Sequence, residues 1–284
     1  MSQPRNEVIL VLILRGMALV SGAIVLLILL FLIWETLPIL QSIGLNRFFN
    51  DPGWHPTSEE FNLLPMLWGT LLVTAGAVLM ATPLGILSAI FCHYYATRAI
   101  ANLYRRLIEL LAGIPSVVYG FWGLVVLVPI VGRIQPPGAS LLTGILILTL
   151  MILPTITLVV DASLANVPPE YLRGCAAMGL GRWATVRGVV FPTVKSGLLT
   201  SVILGTGRAI GETMAVLMVC GNVVQTPKSV FEPVRTLTAN IALEMAYAVG
   251  NHRAALFVSG LVLMALVVAL VIAAELLNRG HIYD

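Results

Sequence analysis

Six long apolar stretches constrain this sequence more than any other feature. A membrane-spanning helix needs about 20 predominantly apolar residues. Stretches of that kind lie between Arg15 and Glu35, within 64–91, and at about 107–131, 139–160, 197–220 and 254–274. Charged residues make up only 10% of the chain, whereas a soluble domain carries about 25%. We therefore expect an all-α polytopic membrane protein with six transmembrane helices.

The distribution of lysine and arginine predicts the orientation of the spans. Six spans place both termini on one side of the membrane, and cytoplasmic loops carry an excess of Lys and Arg. With a cytoplasmic N-terminus, the inside set is Arg5, Arg15, Arg98, Arg105, Arg106, Arg173, Arg182, Arg187, Lys195 and Arg279. The outside set is Arg47, Arg133, Lys228, Arg235 and Arg253. Both termini are therefore expected in the cytoplasm.

The sequence lacks the common motifs of bond-making chemistry. A phosphate-cradling loop ends in Gly-Lys followed by Ser or Thr, and neither Lys195 nor Lys228 follows a glycine. The zinc motif H-E-x-x-H and the nucleophile motif G-x-S-x-G are also absent from the sequence. The cysteines form no C-x-x-C pair and the histidines no i,i+4 pair, which argues against a metal site. We expect a transport subunit rather than an enzyme, with no catalytic residue, metal or cofactor of its own.

The segment Asp161–Ser196 has the pattern of a docking surface. A Pro-Pro pair, which suits a first helical turn, precedes a short helix predicted over Glu170–Met178. Gly179 and Gly181 end that helix, and a second short helix is predicted over 182–187. Two short helices joined by a glycine elbow are expected to seat in a partner's cleft. A helix lying in the membrane surface, with its tryptophan as anchor, is the alternative.

This segment resembles the coupling segment of type I ABC importer permeases, whose pattern is E-A-A, three residues, G, nine residues, then I-x-L-P. Gly179, the nine residues after it, and 189–192 match the second half in register. The first half departs, because Arg173 stands where that family has glutamate. The resemblance implies that an ATPase subunit docks on both short helices, through Glu170, Arg173, Ala177, Gly179, Gly181, Arg182 and Trp183.

Two further motifs are similar to those of the C-type phosphate permease subunits within that family. One is LAGIPSVVYGFWG at 111–123, and the other is GRAIGETMAV at 207–216, followed by MVCGN at 218–222. The resemblance implies the type I ABC importer permease fold. It also implies an inner-membrane subunit of an ATP-driven, binding-protein-dependent phosphate importer. The implied partners are a second permease subunit, two ATPase subunits that bind the ATP, and an external phosphate-binding protein.

The spans and the resemblance together predict three regions. Residues 1–62 would form an N-terminal anchor helix with a periplasmic loop, 63–278 the permease core with its coupling segment at 161–196, and 279–284 a cytoplasmic tail. The first apolar stretch exceeds the roughly 7–15 residues of a signal peptide's apolar region and lacks a small-residue cleavage site, so a retained anchor is expected. The segment 236–249 is too short and polar to span, and it is expected to be re-entrant or interfacial.

Arg208 and Glu212 are the charged residues of the fifth predicted span. Four residues apart on a continuous helix, they would share one face and touch, and charges at membrane depth normally face a polar cavity. One hypothesis is that Arg208 meets an oxyanion in transit while Glu212 weakens its hold, because conduction requires weak binding. A structural ion pair that fixes helix packing is the other. The resemblance implies that the polar residues of this motif, including Thr213, line the translocation pathway.

Three small or kinking residues are predicted to shape helix packing: Gly207, Gly211 and Pro115. The two glycines have the G-x-x-x-G spacing that allows close helix approach, or they occur by chance. The proline would break the third span, and the neighbouring helix must then supply polar partners. Ser116 and Tyr119 could add hydroxyl donors to the pathway, and a bend without substrate contact fits their positions equally well.

Three other functions are compatible with parts of this pattern. A permease for sulfate or molybdate would also use Arg208, because one arginine does not identify its anion. An autonomous anion channel would conduct without an ATPase, whereas loss of the coupling segment should abolish transport by a permease. A membrane enzyme would show turnover of its own, and the missing nucleophile and metal motifs argue against it.

Overall fold

The computed structural model describes residues 5–279, and it describes side chains for 10–276. Within these limits the chain is helical, apart from one small two-stranded hairpin and the connecting loops. Most of the predicted tail at 279–284 lies outside the described residues. So do His281 and the side chain of Arg5, which belongs to the predicted cytoplasmic set.

The chain separates into two compact units. Their limits are Met1–Asn62 with Glu244–Val262 for the first unit and Leu63–Leu243 with Leu263–Asp284 for the second. The sequence predicts an anchor region at 1–62 and a permease core at 63–278. That division rests on expected function rather than on contacts within the chain, so it stays a prediction.

The first unit combines one long helix with a small aromatic cluster. Its elements are α1 (Arg5–Ser42), α2 (Arg47–Asn50), β1 (Trp54–His55), a 3₁₀ turn (Pro56–Ser58), β2 (Glu60–Phe61) and the first part of α14 (Gly250–Arg279). The strands are antiparallel, with Trp54 opposite Phe61. The Trp54 indole N–H donates to Glu244 Oε2 at 2.8 Å, and His252 Nε2 lies 2.8 Å from the same oxygen. Glu244 is buried in this unit.

The second unit contains the remaining helices. In chain order these are α3 (Leu64–Ile90), α4 (Arg98–Ala112), α5 (Ser116–Trp122), α6 (Val128–Ile134), α7 (Leu141–Ala165), α8 (Pro169–Ala177), α9 (Arg182–Thr185), α10 (Phe191–Thr193), α11 (Lys195–Ile210), α12 (Met214–Val219) and α13 (Leu237–Glu244), then the rest of α14. A π-helical turn extends α3 over Phe91–Tyr95, and two others join α5 to α6 over Gly123–Leu127 and α9 to α10 over Val186–Val190.

Several of the described helices are long and apolar enough to cross a membrane. These are Leu10–Ser42, Leu64–Tyr95, Ser116–Ile134, Leu141–Ala165 and Gly250–Leu276. The pair Arg182–Thr193 and Lys195–Ile210, bent by 72°, adds a sixth if it counts as one span. The expectation of an all-α polytopic membrane protein is confirmed.

Two of the predicted spans are interrupted. The third, at 107–131, is divided at 113–115, because a proline cannot donate the backbone hydrogen bond that would continue the helix. The fifth, at 197–220, ends at Ile210 and resumes at Met214. Hydropathy summed over about 20 residues hardly changes when three of them leave the helix. The apolar pattern therefore predicted one continuous helix at each of these two places.

Contact between α3 and α7 forms the centre of the second unit. Small residues recur on α3 at every fourth position, as Ala77, Ala81, Gly85 and Ala89, and all four are buried. Residues four apart share one face of a helix, and small side chains let two helices approach closely. A Cβ atom at position 85 would lie 2.9 Å from Ile156 Cγ2 on α7. This close contact fixes which face of α7 is turned toward the other helices.

Candidate translocation pathway and docking segment

The first break separates α4 from α5 at Gly113–Pro115. The Tyr119 hydroxyl donates to the carbonyl oxygen of Leu111 at 2.8 Å, so this side chain bridges the two sides of the break. Tyr119, predicted as a donor in the pathway, therefore uses its hydroxyl hydrogen within the chain. Ser116 begins α5, and its hydroxyl makes no hydrogen bond to the described part of the chain.

The second break, at 211–213, separates α11 from α12. Glu212 Oε1 accepts a hydrogen bond from the backbone N–H of Ala215 at 3.0 Å. The carboxylate thereby satisfies one of the N–H groups that the first turn of a helix leaves without a partner. The Thr213 hydroxyl donates to the carbonyl oxygen of Gly211 at 3.2 Å. Glu212 therefore acts at the start of α12.

The predicted contact between Arg208 and Glu212 is not formed. Arg208 lies in the last turn of α11 and Glu212 lies beyond the end of that helix, so the i,i+4 geometry of a continuous helix does not apply. Arg208 Nη1 instead donates to the Thr155 hydroxyl on α7 at 2.9 Å. No ion pair joins Arg208 to a carboxylate within 10–276.

This arrangement leaves Arg208 suited to bind an oxyanion. A guanidinium carries five N–H donors in a planar fork that matches oxyanion geometry, and the described residues take one of them. A neutral hydroxyl orients the group without cancelling its charge. The half-buried side chain therefore keeps a positive charge beside the second break.

A buried segment from the predicted outside loop packs against this break. The Thr238 hydroxyl donates to the carbonyl oxygen of Glu212 at 2.7 Å, and the Leu237 backbone N–H donates to the Thr70 hydroxyl on α3 at 3.0 Å. Residues 236–240 are buried by the protein. Whether 236–249 is re-entrant or interfacial stays a prediction.

The sequence reasoning missed Thr70, Thr155 and Thr238. A threonine in an apolar helix commonly bonds the carbonyl four residues before it, as Thr157 does to Leu153 at 2.8 Å. The hydroxyl pattern alone therefore does not single out the three that bind another element. Their contacts arise only when α3, α7 and the 234–243 segment come together.

Close helix packing occurs at glycines other than the predicted pair. A Cβ at Gly207 would meet no atom within 4 Å, and Gly211 ends α11, so neither brings another helix of this chain close. A Cβ at Gly120 would instead lie 2.8 Å from Ala215 Cα and 3.0 Å from Met218 Sδ. The helices that follow the two breaks, α5 and α12, therefore pack directly together. Pro115, the third predicted packing residue, is the N-cap of α5.

An apolar cavity of about 330 Å³ lies beside the first break. It is lined by Leu111, Ile114, Val118, Tyr119, Trp122, Leu150 and Leu153. Apolar walls cannot replace the hydration of an anion, so this cavity is not itself an anion site.

The docking segment has the predicted shape, with its two short helices over Pro169–Ala177 and Arg182–Thr185. Gly179 adopts φ +70°, and the Leu180 N–H bonds the Cys175 carbonyl at 3.0 Å across the end of α8. This is the glycine-ended helix terminus known as a Schellman motif. The residues predicted to contact the ATPase are all exposed: Glu170, Arg173, Ala177, Gly179, Gly181, Arg182 and Trp183.

The three histidines within the described residues lie beside carboxylates. His55 is 3.0 Å from Glu60, His252 is 2.8 Å from Glu244, and His93 is 3.5 Å from Asp161. In the part of the chain that the structure describes, no group of three or more His, Cys, Asp or Glu side chains could hold a metal ion.

Helices interrupted beside polar side chains also occur at the substrate sites of membrane transporters. The exposed pair of short helices adds a surface on which a partner can dock. The sequence profile of the binding-protein-dependent transport system inner membrane components matches residues 81–282. The chain belongs to that family.

Individual relatives agree with this family assignment. The chain is 36% identical over 263 residues to the phosphate transport system permease protein PstC of Mesorhizobium japonicum, with 84% of this chain and 80% of that protein covered. It is 42% identical over 217 residues to the probable ABC transporter permease protein YqgH of Bacillus subtilis, with 73% and 70% covered.

Solved structures show the same fold. A chain of the inward-facing MetNI methionine ABC transporter superposes with a TM-score of 0.63 at 21% identity, covering 77% of this chain and 95% of that one. A chain of a bacterial alginate ABC importer superposes with a TM-score of 0.61 at 14% identity, covering 96% and 99%. The type I ABC importer permease fold is confirmed. The chain is a multi-pass inner-membrane transport subunit that works with a separate ATPase and a binding protein, and it is not an enzyme.

Proposed function

We propose that this chain is the permease subunit of an ATP-driven importer of inorganic phosphate and that Arg208 contacts the anion in transit. The observation that carries the proposal is the Arg208 guanidinium. It is oriented by the Thr155 hydroxyl at 2.9 Å and bound by no carboxylate of the described residues. The identity to PstC proteins over most of the chain supports phosphate as the anion.

The proposed binding is weak enough for release. Two or more charge-assisted hydrogen bonds from one guanidinium bind phosphate, while conduction requires that the anion leave again. A single arginine at the break can bind the anion and still release it, whereas several basic groups around the anion would hold it too tightly. Glu212 contributes by capping α12 and fixing the position of the break.

The proposed assembly contains a second, A-type permease subunit, two ATPase subunits and an external phosphate-binding protein. ATP binds to the ATPase subunits, and this chain binds no cofactor. The ATPase subunits dock on the segment 161–196, whose predicted contact residues are exposed. The excess of basic residues in the predicted inside loops supports a cytoplasmic position for both termini. Closure of the ATPase subunits shifts the docking segment and turns the Arg208 region between outward and inward access.

The test is phosphate uptake into vesicles that contain the chain with its partners, with and without internal ATP. Wild type is compared with Arg208→Ala and with Arg133→Ala, a matched control because Arg133 is exposed and makes no ion pair among the described side chains. We expect ATP-dependent uptake in wild type and Arg133→Ala and its loss in Arg208→Ala, with the complex still assembled.

Three results would contradict the proposal. Unchanged uptake in Arg208→Ala would give this arginine a structural role. Uptake without ATP or partners would indicate an anion channel. ATP-dependent uptake of sulfate or molybdate, without uptake of phosphate, would indicate another oxyanion as substrate.

A further inference from the structure

A carboxylate near the end of α7 binds one other element and lies beside a second. Arg105 on α4 donates to Asp161 through both Nε and Nη2, at 2.8 and 3.0 Å from the two carboxylate oxygens. His93 Nδ1, in the π-helical turn Phe91–Tyr95, lies 3.5 Å from Asp161 Oδ1. Asp161 therefore binds α4 to α7 through Arg105, and the end of α3 lies beside the same carboxylate, with His93 Nδ1 at ion-pair distance but without a hydrogen bond.

The geometry of this cluster makes it stiff. A bidentate pair of a guanidinium and a carboxylate fixes orientation as well as distance. The side chains of Asp161, Arg105 and His93 are 19, 35 and 24% exposed, so water screens the contacts less than it would at the surface. The hydrogen bonds that Arg105 donates to Asp161 raise the pKa of its guanidinium, which therefore stays charged.

The docking segment is bound to the same π-helical turn. Arg182, the first residue of α9, donates from Nη1 to the carbonyl oxygen of Tyr94 at 3.2 Å. Its guanidinium carbon lies 6.0 Å from the centre of the Tyr95 ring, within the range of a cation–π contact. Arg182, predicted as an ATPase contact, thus also joins the segment to the residue next to His93.

On its other side the cluster connects to the first break. From Arg105, α4 continues for two turns to Ala112 and ends at the break. Leu111, in the last turn of α4, accepts the hydrogen bond from Tyr119 across that break. An α-helix is rigid over this length of roughly 10 Å, so a displacement at Arg105 reaches Leu111 and Tyr119.

We propose that Asp161, with Arg105 and His93, couples movement of the docking segment to the break at Gly113–Pro115. In this role they are positioning residues, which act on the pathway through α4 and contact no substrate. The inference rests on the proposed function, in which docked ATPase subunits move the segment. It assigns to the Arg105–Asp161 ion pair the transmission of movement between the docking segment and the first break. This ion pair takes no part in the anion contact proposed for Arg208.

The test measures anion uptake per ATP hydrolysed by the whole importer, reconstituted in vesicles with its partner permease, ATPase subunits and binding protein. The variants are Arg105→Gln and Asp161→Asn. Arg106→Gln is the matched control, because Arg106 is the exposed neighbour and makes no ion pair among the described residues. We expect about a tenfold fall in uptake per ATP for the two variants, within the usual range of coupling between sites, and the wild-type ratio for the control.

Two conservative variants separate coupling from simple folding. Asp161→Glu keeps a carboxylate and should retain most of the wild-type ratio. Arg105→Lys keeps the charge but cannot bind both carboxylate oxygens in one plane, so its ratio should fall less than that of Arg105→Gln. These two variants decide the question if Arg105→Gln and Asp161→Asn fail to assemble.

An unchanged ratio in Arg105→Gln and Arg105→Lys would overturn the proposal. So would a parallel loss of uptake and ATP hydrolysis in every variant, since this indicates failure of docking or folding. If the wild-type complex imports another oxyanion in place of phosphate, the proposed substrate is wrong. The ratio is then measured with that anion, and the coupling role is judged separately.

Discussion

Arg208 on α11 and Thr155 on α7 are joined by a hydrogen bond of 2.9 Å between Nη1 and the threonine hydroxyl. This contact replaces the ion pair with Glu212 that a continuous helix would have formed. A hydroxyl holds the guanidinium in place and leaves its positive charge available to an anion. Thr155 therefore orients the Arg208 side chain without neutralising its charge.

The Thr155→Val substitution should weaken anion uptake without preventing assembly. A hydrogen bond to a charged group contributes about 1.5–3 kcal/mol, and its loss lets the Arg208 side chain leave the break. We expect roughly a tenfold lower uptake at limiting phosphate, since each 1.4 kcal/mol corresponds to about tenfold. The control is Thr157→Val, whose hydroxyl bonds the Leu153 carbonyl within α7. Equal losses in both variants would contradict the orienting role of Thr155.

Substitutions at Glu212 should distinguish capping from charge. Because its Oε1 accepts from the Ala215 N–H, Glu212→Gln keeps an acceptor and should retain stability near that of wild type. Glu212→Ala removes the cap and should cost about 1 kcal/mol. Thermal unfolding of the detergent-purified complex measures the difference. If Glu212→Gln lowers the stability as much as Glu212→Ala does, the stabilisation comes from the negative charge of Glu212 and not from its hydrogen bond to the Ala215 N–H.

The Gly120→Ala substitution should destabilise the chain. The added Cβ would lie 2.8 Å from Ala215 Cα, a backbone atom that cannot move aside as a flexible side-chain end would. Overpacking of this kind costs about 1–3 kcal/mol. Gly207→Ala has open space and should be tolerated by the isolated subunit. Thermal unfolding of the two purified variants checks this order, and equal stability would contradict it.

Gly207→Ala also tests whether the G-x-x-x-G spacing serves an interface with another subunit. A variant that is stable alone but no longer copurifies with the partner permease would place Gly207 at that interface. Normal copurification would indicate that the spacing arose by chance.

The glycine elbow of the docking segment contains a matched pair of positions. Gly179 has φ +70°, whereas Gly181 has φ −68°, which any residue adopts. Gly179→Ala should therefore strain the end of α8 by about 1 kcal/mol or more and reduce copurification of the ATPase. Gly181→Ala should leave it unchanged unless the partner itself approaches that glycine. Retention of the ATPase by both variants would show that the shape of the elbow does not limit docking.

The sequence by itself determined the class of the fold and the pair of short helices within 161–196. Apolar stretches of about 20 residues must span a bilayer as helices, because only there are all backbone groups paired. Proline and glycine at fixed positions end helices for local reasons. Pro115 and Gly179 therefore act where their residue types predict. The resemblance of the motifs then led to the correct family.

The tertiary structure alone decided the contacts of the charged side chains. The i,i+4 rule paired Arg208 with Glu212 because it assumes a helix that continues, and α11 ends between them. Which hydroxyl Arg208 contacts depends on the packing of α7 against α11. The Asp161 cluster likewise joins α7 to Arg105, which lies 56 residues earlier in the chain. Local spacing carries no information about such contacts, because the energy that selects them comes from burial and pairing across helices.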